Sequence, residues 1–198
     1  ILGSVVPALT GRVLGALRML CSARFLTVGP GLKSGIKLRL DNPAQLGAEL
    51  LCGAVAALEE GPGPLAVISA DTAISIMAVN GKQELVGGVI LPGPQLSLSA
   101  LVQKTAQLPQ IDLSAPASSS ILGKNTSACL QNGFVLGTAG LLDGLAERFQ
   151  AELGPDIRFY ATGNLPRTIR EACRTPIEYR EYLITDGLYR IWQKNRKG

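Results

Sequence analysis

The sequence predicts an α/β fold, a mixed sheet flanked by helices, and three observations carry that reading. From Leu65 onward the hydrophobic pattern runs strand, strand, strand, helix, helix, strand, helix, which suits a sheet with helices on its faces. Hydrophobic residues make up 46% of the 198 residues and aromatic residues only 5%, so the core is aliphatic. Asn80-Gly81, set between two β-rich runs, is the strongest hairpin signal in the chain.

The elements follow in order. The run 2–6 is strand-like and ends at Pro7, a good first-turn residue for a helix. Leu9, Val13, Leu17 and Leu20 then recur at helical spacing, with Arg12 and Arg18 off the stripe. A short strand over 25–28 runs into Gly29-Pro30-Gly31, a forced turn. Asn42 and Pro43 read as the N-cap and first turn of a second helix, whose buried face is Leu46, Leu50, Leu51, Ala54 and Leu58 and whose end is Gly61. Strands follow over 65–69, 74–79 and 84–91, closed by Pro92-Gly93. A helix over 96–108 leads into a loop rich in Ser, Ala and Pro.

The segment 126–153 reads as one long helix, with Gly133, Gly137, Gly140 and Gly144 on a single stripe. Each glycine costs a helix about 1 kcal/mol relative to Ala, so the stripe implies close backbone approach to a sheet, a partner helix or a nucleotide. A buried strand over 157–162 ends in Gly163-Asn164. Thr185 caps a last helix whose apolar side holds Leu188, Ile191 and Trp192.

Composition excludes several chemistries. The chain has no histidine, which removes Ser-His-Asp triads, histidine bases and His-containing zinc sites. Proton transfer falls to Asp, Glu, Lys or Tyr. Cys21, Cys52, Cys129 and Cys173 form no C-x-x-C pair and sit in apolar stretches, so buried free thiols in a reducing cytosol are expected. The net charge of +4 is modest, and its one cluster, Lys194, Arg196 and Lys197, reads as a solvated helix end. Neither a nucleic-acid surface nor a membrane span is expected. The chain opens at Ile1 inside an apolar run, without an initiator Met, and reads as a fragment.

Five segments in register carry a family resemblance. The first is Val28-Gly29-Pro30-Gly31-Leu32-Lys33-Ser34-Gly35, with Asp41-Asn42-Pro43 and Gly47-Ala48 following. The second is the strand pair around Thr72-Ala73, and the third Gly87-Gly88-Val89-Ile90-Leu91-Pro92-Gly93 continuing to Leu108-Pro109. The fourth is Gly123-Lys124-Asn125-Thr126 with the glycine stripe and Asp143-Gly144, and the fifth Ala161-Thr162-Gly163. In these segments the chain resembles the type III pantothenate kinases, of the acetate/sugar kinase, Hsp70 and actin superfamily.

That resemblance implies a ribonuclease H-like actin/Hsp70/sugar-kinase fold with an incomplete first subdomain: 1–64 the remainder of the N-terminal subdomain, 65–198 the C-terminal actin-like one. It implies ATP-dependent phosphorylation of pantothenate, the first step of coenzyme A biosynthesis, in a cytoplasmic homodimer. It further implies ATP with Mg²⁺ and a monovalent cation, K⁺ or NH₄⁺. By the same carry-over Glu49 is the base, while Gly47, Ala48, Lys33, Asn125 and Thr126 bind pantothenate. Thr72, Ala73, Gly93, Thr162, Gly163 and Asn164 bind the nucleotide, and Ser69 and Asp71 flank the monovalent cation.

The pattern also breaks. The family's Gly-Ala-Asp-Arg is here Gly47-Ala48-Glu49-Leu50, which moves the carboxylate out by one methylene and removes a substrate-binding arginine. Its Asp-x-Gly-Thr-Ala-Thr turn is Ser69-Ala70-Asp71-Thr72-Ala73-Ile74, and its Gly-Gly is Gly163-Asn164. The family's first phosphate loop lies upstream of Ile1. Two readings therefore stand at this point, a divergent kinase with Glu49 as base, and a non-catalytic relative that binds nucleotide or a protein partner.

Overall fold

In the computed structural model, which describes residues 1–117 and 120–196, six strands form one mixed sheet. They are β1 (Lys37–Leu38), β2 (Leu65–Ala70), β3 (Ala73–Val79), β4 (Glu84–Pro92), β5 (Arg158–Gly163) and β6 (Ile177–Tyr179), in the order β1-β4-β3-β2-β5-β6. β2–β3 and β3–β4 are antiparallel, while β1–β4, β2–β5 and β5–β6 are parallel. β2 is buried at every position, which explains why Leu-Ala-Val-Ile-Ser-Ala reads as a nearly continuous apolar run rather than an alternating one.

Six helices accompany the sheet: α1 (Pro7–Leu20), α2 (Ala48–Glu59), α3 (Pro94–Gln103), α4 (Thr126–Leu153), α5 (Arg167–Ala172) and α6 (Leu183–Asn195). On one face α2 and α6 bury Cys52, Ala54, Val55, Leu183 and Ile191 against Leu65, Val67, Val79 and Tyr160. On the other, α4 and α5 bury Val135, Ala139, Leu142, Ala146 and Ile169 against Ile68, Ile74, Ile76 and Phe159. The period-2 alternation of β2, β3 and β5 thus sorts two aliphatic clusters onto opposite faces. Each fully buried Leu or Ile contributes about 1.5–3 kcal/mol of transfer free energy.

Several expectations are corrected. The strands expected over 2–6 and 25–28 reduce to one parallel bridge, Leu2 to Thr27. Asn42 does cap with its side chain, accepting from the Ala44 N–H at 3.2 Å, but it caps a short 3₁₀ turn (Pro43–Gln45), and α2 starts afresh at Ala48 behind Gly47. The helix expected over 96–108 is α3, which stops at Gln103. Thr185 lies inside α6 rather than at its cap, donating to the Tyr182 carbonyl at 2.8 Å. Cys21 and Cys129 are exposed, Cys173 is half-buried, and only Cys52 is buried. Burial pushes the Cys52 thiol up to about 11, so it is an inert packing residue. Lys197, one of the three basic tail residues, lies outside the described residues.

The hairpin is where the sequence places it, with a different turn. Its loop is Asn80 to Gln83, and the positive φ falls on Gln83 (58°) rather than on Gly81. Asn80 Oδ1 accepts from the Lys82 and Glu84 N–H groups at 2.9 and 3.0 Å, which makes the local asparagine geometry the organiser of the turn. The Asn80 amide also donates to Glu84, whose carboxyl is held down to about 2 by that bond and by Arg39, just past β1, and Lys37 of β1. Gly88 proves to be a packing position, because a Cβ there would stand 2.0 Å from the Ile76 carbonyl oxygen.

α4 answers part of the question raised by its glycines. At Gly133, Gly137, Gly140 and Gly144 an added Cβ would meet no atom of the described residues within 4 Å. The sheet is therefore not the neighbour that the stripe accommodates. The buried side of α4 instead carries Asp143, 3% exposed, whose carboxylate accepts from the backbone N–H groups of Arg174 (3.0 Å to each oxygen) and Thr175 (2.8 Å). Burial alone would raise its pKa, but these N–H donors outweigh it and hold the carboxyl below the ordinary range. Asp143 thereby clasps the segment leading into β6.

Candidate active site

Two clusters of the expected residues converge at one end of the sheet. α2 leads directly into β2 and so runs antiparallel to it, with the position of a Gly53 Cβ 3.0 Å from Val67 Cγ1. The N-terminus of α2, with Gly47, Ala48 and Glu49, therefore points toward the C-terminal end of β2, where Ser69 and Asp71 stand.

The first cluster is a cleft of about 720 Å³. It is lined by residues 28–32 and 42–48, with Ser4, Val5, Pro7, Leu38 and Leu51. The segments Val28-Gly29-Pro30-Gly31-Leu32 and Asn42-Pro43, apart in sequence, thus face Gly47 and Ala48 across one cavity. Glu49 follows in the first turn of α2, half-buried, where the positive end of the helix dipole favours a carboxylate. Leu50 turns into the core and is 8% exposed. Lys33 is exposed beyond the cleft lining, and its backbone is clasped by Asn195 of α6: Asn195 Oδ1 accepts from the Lys33 N–H at 3.1 Å and Asn195 Nδ2 donates to the Lys33 carbonyl at 3.0 Å.

The second cluster joins three loops at the same sheet end. Gly93 donates its N–H to the Thr72 carbonyl at 2.9 Å, and a Cβ at Gly93 would stand 2.3 Å from the Asp71 carbonyl oxygen. Gly163, at φ +82°, lies equally close to the Ala70 carbonyl. Only glycine fits there. Asn164 donates its N–H to Ala70 O at 2.5 Å and its side-chain amide to Asp71 Oδ1 at 3.0 Å. Thr72, Gly93, Gly163 and Asn164 are thus brought to one rim, with Ala73 half-buried behind Thr72. Thr162 is 1% exposed, and its hydroxyl donates to the Glu181 carbonyl at 3.4 Å, so its side chain belongs to the protein interior.

Asn125 and Thr126 are not brought to either cluster within the chain. Asn125 caps α4, accepting from the Ala128 N–H at 2.9 Å, and Thr126 opens the helix. That helix packs on the sheet face opposite α2.

Sequence reasoning missed Arg158. Its guanidinium donates to the carbonyls of Glu60 (3.2 Å), Gly61 (2.6 Å) and Pro62 (3.1 Å) at the C-terminal end of α2. A cation there satisfies orphan carbonyls and the negative end of the helix dipole, and it fixes the helix whose other end carries Glu49. Nothing in the local sequence marks it, since its partners are nearly a hundred residues away.

A layered α/β fold with glycine loops and a helix N-terminus at one sheet end is of the class that can bind phosphate groups, consistent with a kinase-type fold. The family model for type III pantothenate kinase matches residues 1–148. A type III pantothenate kinase of Koribacter versatilis is 37% identical over 200 residues, covering 99% of this chain and 71% of its own. Those of Geotalea uraniireducens (36%, 100% and 76%) and Dehalococcoides mccartyi (38%, 99% and 74%) are similar to the same extent. The chain belongs to the type III pantothenate kinase family. Among solved structures, a conserved protein of Campylobacter jejuni described as a Baf family transcriptional activator superposes with a TM-score of 0.58 at 18% identity, over 98% of this chain and 81% of that one. At that identity the likeness concerns the fold.

Proposed function

We propose that this protein transfers the γ-phosphoryl group of ATP to the primary hydroxyl of pantothenate, the first step of coenzyme A biosynthesis. What supports the reading is membership of the family, whose model matches residues 1–148, together with the cleft at the α2 N-terminus that Gly47 and Ala48 line. The substrate oxygen attacks the γ-phosphorus, the bond to the β–γ bridging oxygen breaks, ADP leaves, and Glu49 accepts the hydroxyl proton. Phosphoryl transfer has a loose transition state, so most of the work is positioning and charge neutralisation. Gly93, Gly163 and the turn at Thr72 would supply close backbone approach to the nucleotide, with Asn164 beside them.

Mg²⁺ would arrive with the nucleotide, because it keeps several of its waters and is held mainly by substrate phosphates with one or two carboxylates. The family resemblance would place a monovalent cation beside Ser69, which pairs in register with Ser75 of β3, and Asp71. When bound, such a cation would offset phosphate charge.

The finer fold reading, ribonuclease H-like with a division near residue 64, is part of the same proposal, as is a cytoplasmic setting. So is a homodimer built on α4. Its support is the glycine stripe, which nothing among the described residues requires, together with Asn125 and Thr126 standing apart from the cleft they are expected to serve. Gly137→Leu is expected to leave the thermal midpoint of the isolated chain nearly unchanged and to shift sedimentation from dimer to monomer. Unaltered association in that variant would remove the stripe from the interface.

Leu50 favours the second reading, a non-catalytic relative, because its side chain completes the core and offers no cation to a substrate carboxylate. A coupled ADP-release assay on the full-length protein decides between them. ADP production that requires pantothenate is the expected result, and ATP binding without turnover would establish the non-catalytic alternative.

A further inference from the structure

We infer that Asp71 and Asn164 act as one unit, a side-chain latch that sets the β2–β3 turn against the β5–α5 loop and so positions both for the nucleotide. The inference rests on the nucleotide reading proposed above. The two residues are 93 positions apart, both exposed, and joined by a 3.0 Å bond from the Asn164 amide to Asp71 Oδ1. Asn164 is fixed from below by its own N–H on Ala70 O, and Gly163 by the Tyr179 hydroxyl, which donates to its carbonyl at 2.9 Å. Asp71 is fixed by its N–H on the Ala73 carbonyl at 2.9 Å. The side-chain pair thus spans two anchored backbones.

A carboxylate at this rim is unfavourable for a bound polyphosphate unless its direction is controlled. The Asn164 amide supplies that control, by holding the carboxylate toward β5 while the Thr72 backbone stays at the turn. Both residues stand where the family pattern has glycine, and either alone carries a defect. Unpartnered Asp71 would swing across the phosphate path, and unpartnered Asn164 would have no reason to be ordered. Paired, they offset each other. They are positioning residues, not catalytic ones.

A double-mutant cycle on the full-length protein tests this. Asn164→Ala is expected to raise KM for ATP about fivefold to tenfold, with kcat and KM for pantothenate close to wild type, since the effect falls on the nucleotide loops alone. In an Asp71→Ala background the same substitution should change nothing, because the carboxylate it restrains is gone. The exchanged pair Asp71→Asn with Asn164→Asp keeps the net charge and the donor–acceptor contact, and should return KM to within about twofold of wild type. Thermal midpoints should stay level across the set, as both side chains are exposed. An additive cycle, or an exchanged pair as impaired as Asn164→Ala, would overturn the latch while leaving the kinase reading intact. A wild-type protein that binds no ATP by calorimetry would instead overturn the nucleotide reading and this role together.

Discussion

Glu49→Gln is expected to lower kcat for pantothenate-dependent ADP release by about 10²–10⁴-fold, the span that a positioned general base commands. The lower part of that span is the better expectation, because a loose phosphoryl-transfer transition state develops little charge on the attacking oxygen. The choice of residue follows from the family motif, in which Glu49 holds the place of the aspartate. Glu49 stands in the first turn of α2, beside the cleft lined by Gly47 and Ala48. Gln keeps its shape and loses only the charge, which near a helix N-terminus costs less than about 1 kcal/mol of stability. The variant should therefore fold and bind ATP normally. Glu49→Asp, which shortens the side chain by one methylene, should retain a working base. Wild-type turnover in the Gln variant would place the base elsewhere, and an inert wild type would establish the non-catalytic relative.

What the sequence made legible was local and periodic. β2, β3, β4 and α4 fall where apolar runs, the Asn80-Gly81 pair and helical spacing place them, because each rests on a pattern longer than a few residues. β1, β6 and α5 were invisible for the opposite reason. Lys37–Leu38, Ile177–Tyr179 and Arg167–Ala172 are too short for periodicity, and they are held by tertiary contacts such as the Glu84 bridges to Lys37 and Arg39. The runs 2–6 and 25–28 show the converse error, since an apolar strand-like stretch makes a ladder only where a partner strand exists. At the site, the motif residues could be read directly. The clasps that hold them could not: Arg158 on the end of α2, Asn195 on Lys33 and Asp71 on Asn164 are long-range contacts of polar residues with no local signature.

The largest effect on stability is expected at another position that the sequence did not single out. Gly187 lies where α6 crosses α2, and a Cβ there would stand 1.8 Å from the carbonyl oxygen of Cys52 and 2.4 Å from its carbonyl carbon. Ordinary contact needs roughly twice the former distance, and the obstacle is backbone, so no rotamer change relieves it. Gly187→Ala should cost about 3 kcal/mol or more, the upper end for overpacking, even after about 1 kcal/mol gained from better helix propensity. For a chain of this length the thermal midpoint should fall by on the order of 10 °C. Gly133→Ala supplies the control, because nothing among the described residues lies within 4 Å of that Cβ, and it should stabilise the isolated chain slightly. The loss at Gly187 should reach the active site as well. Displacing α6 loosens Asn195 from the Lys33 backbone, and displacing α2 moves Glu49. A misplacement of about 1 Å in a reacting group can cost on the order of a hundredfold in rate, so kcat in the Ala variant should fall even at temperatures where it remains folded. A Gly187→Ala protein as stable as wild type would mean that the two helices do not cross at this point, and the account of how α6 supports the site would fail with it.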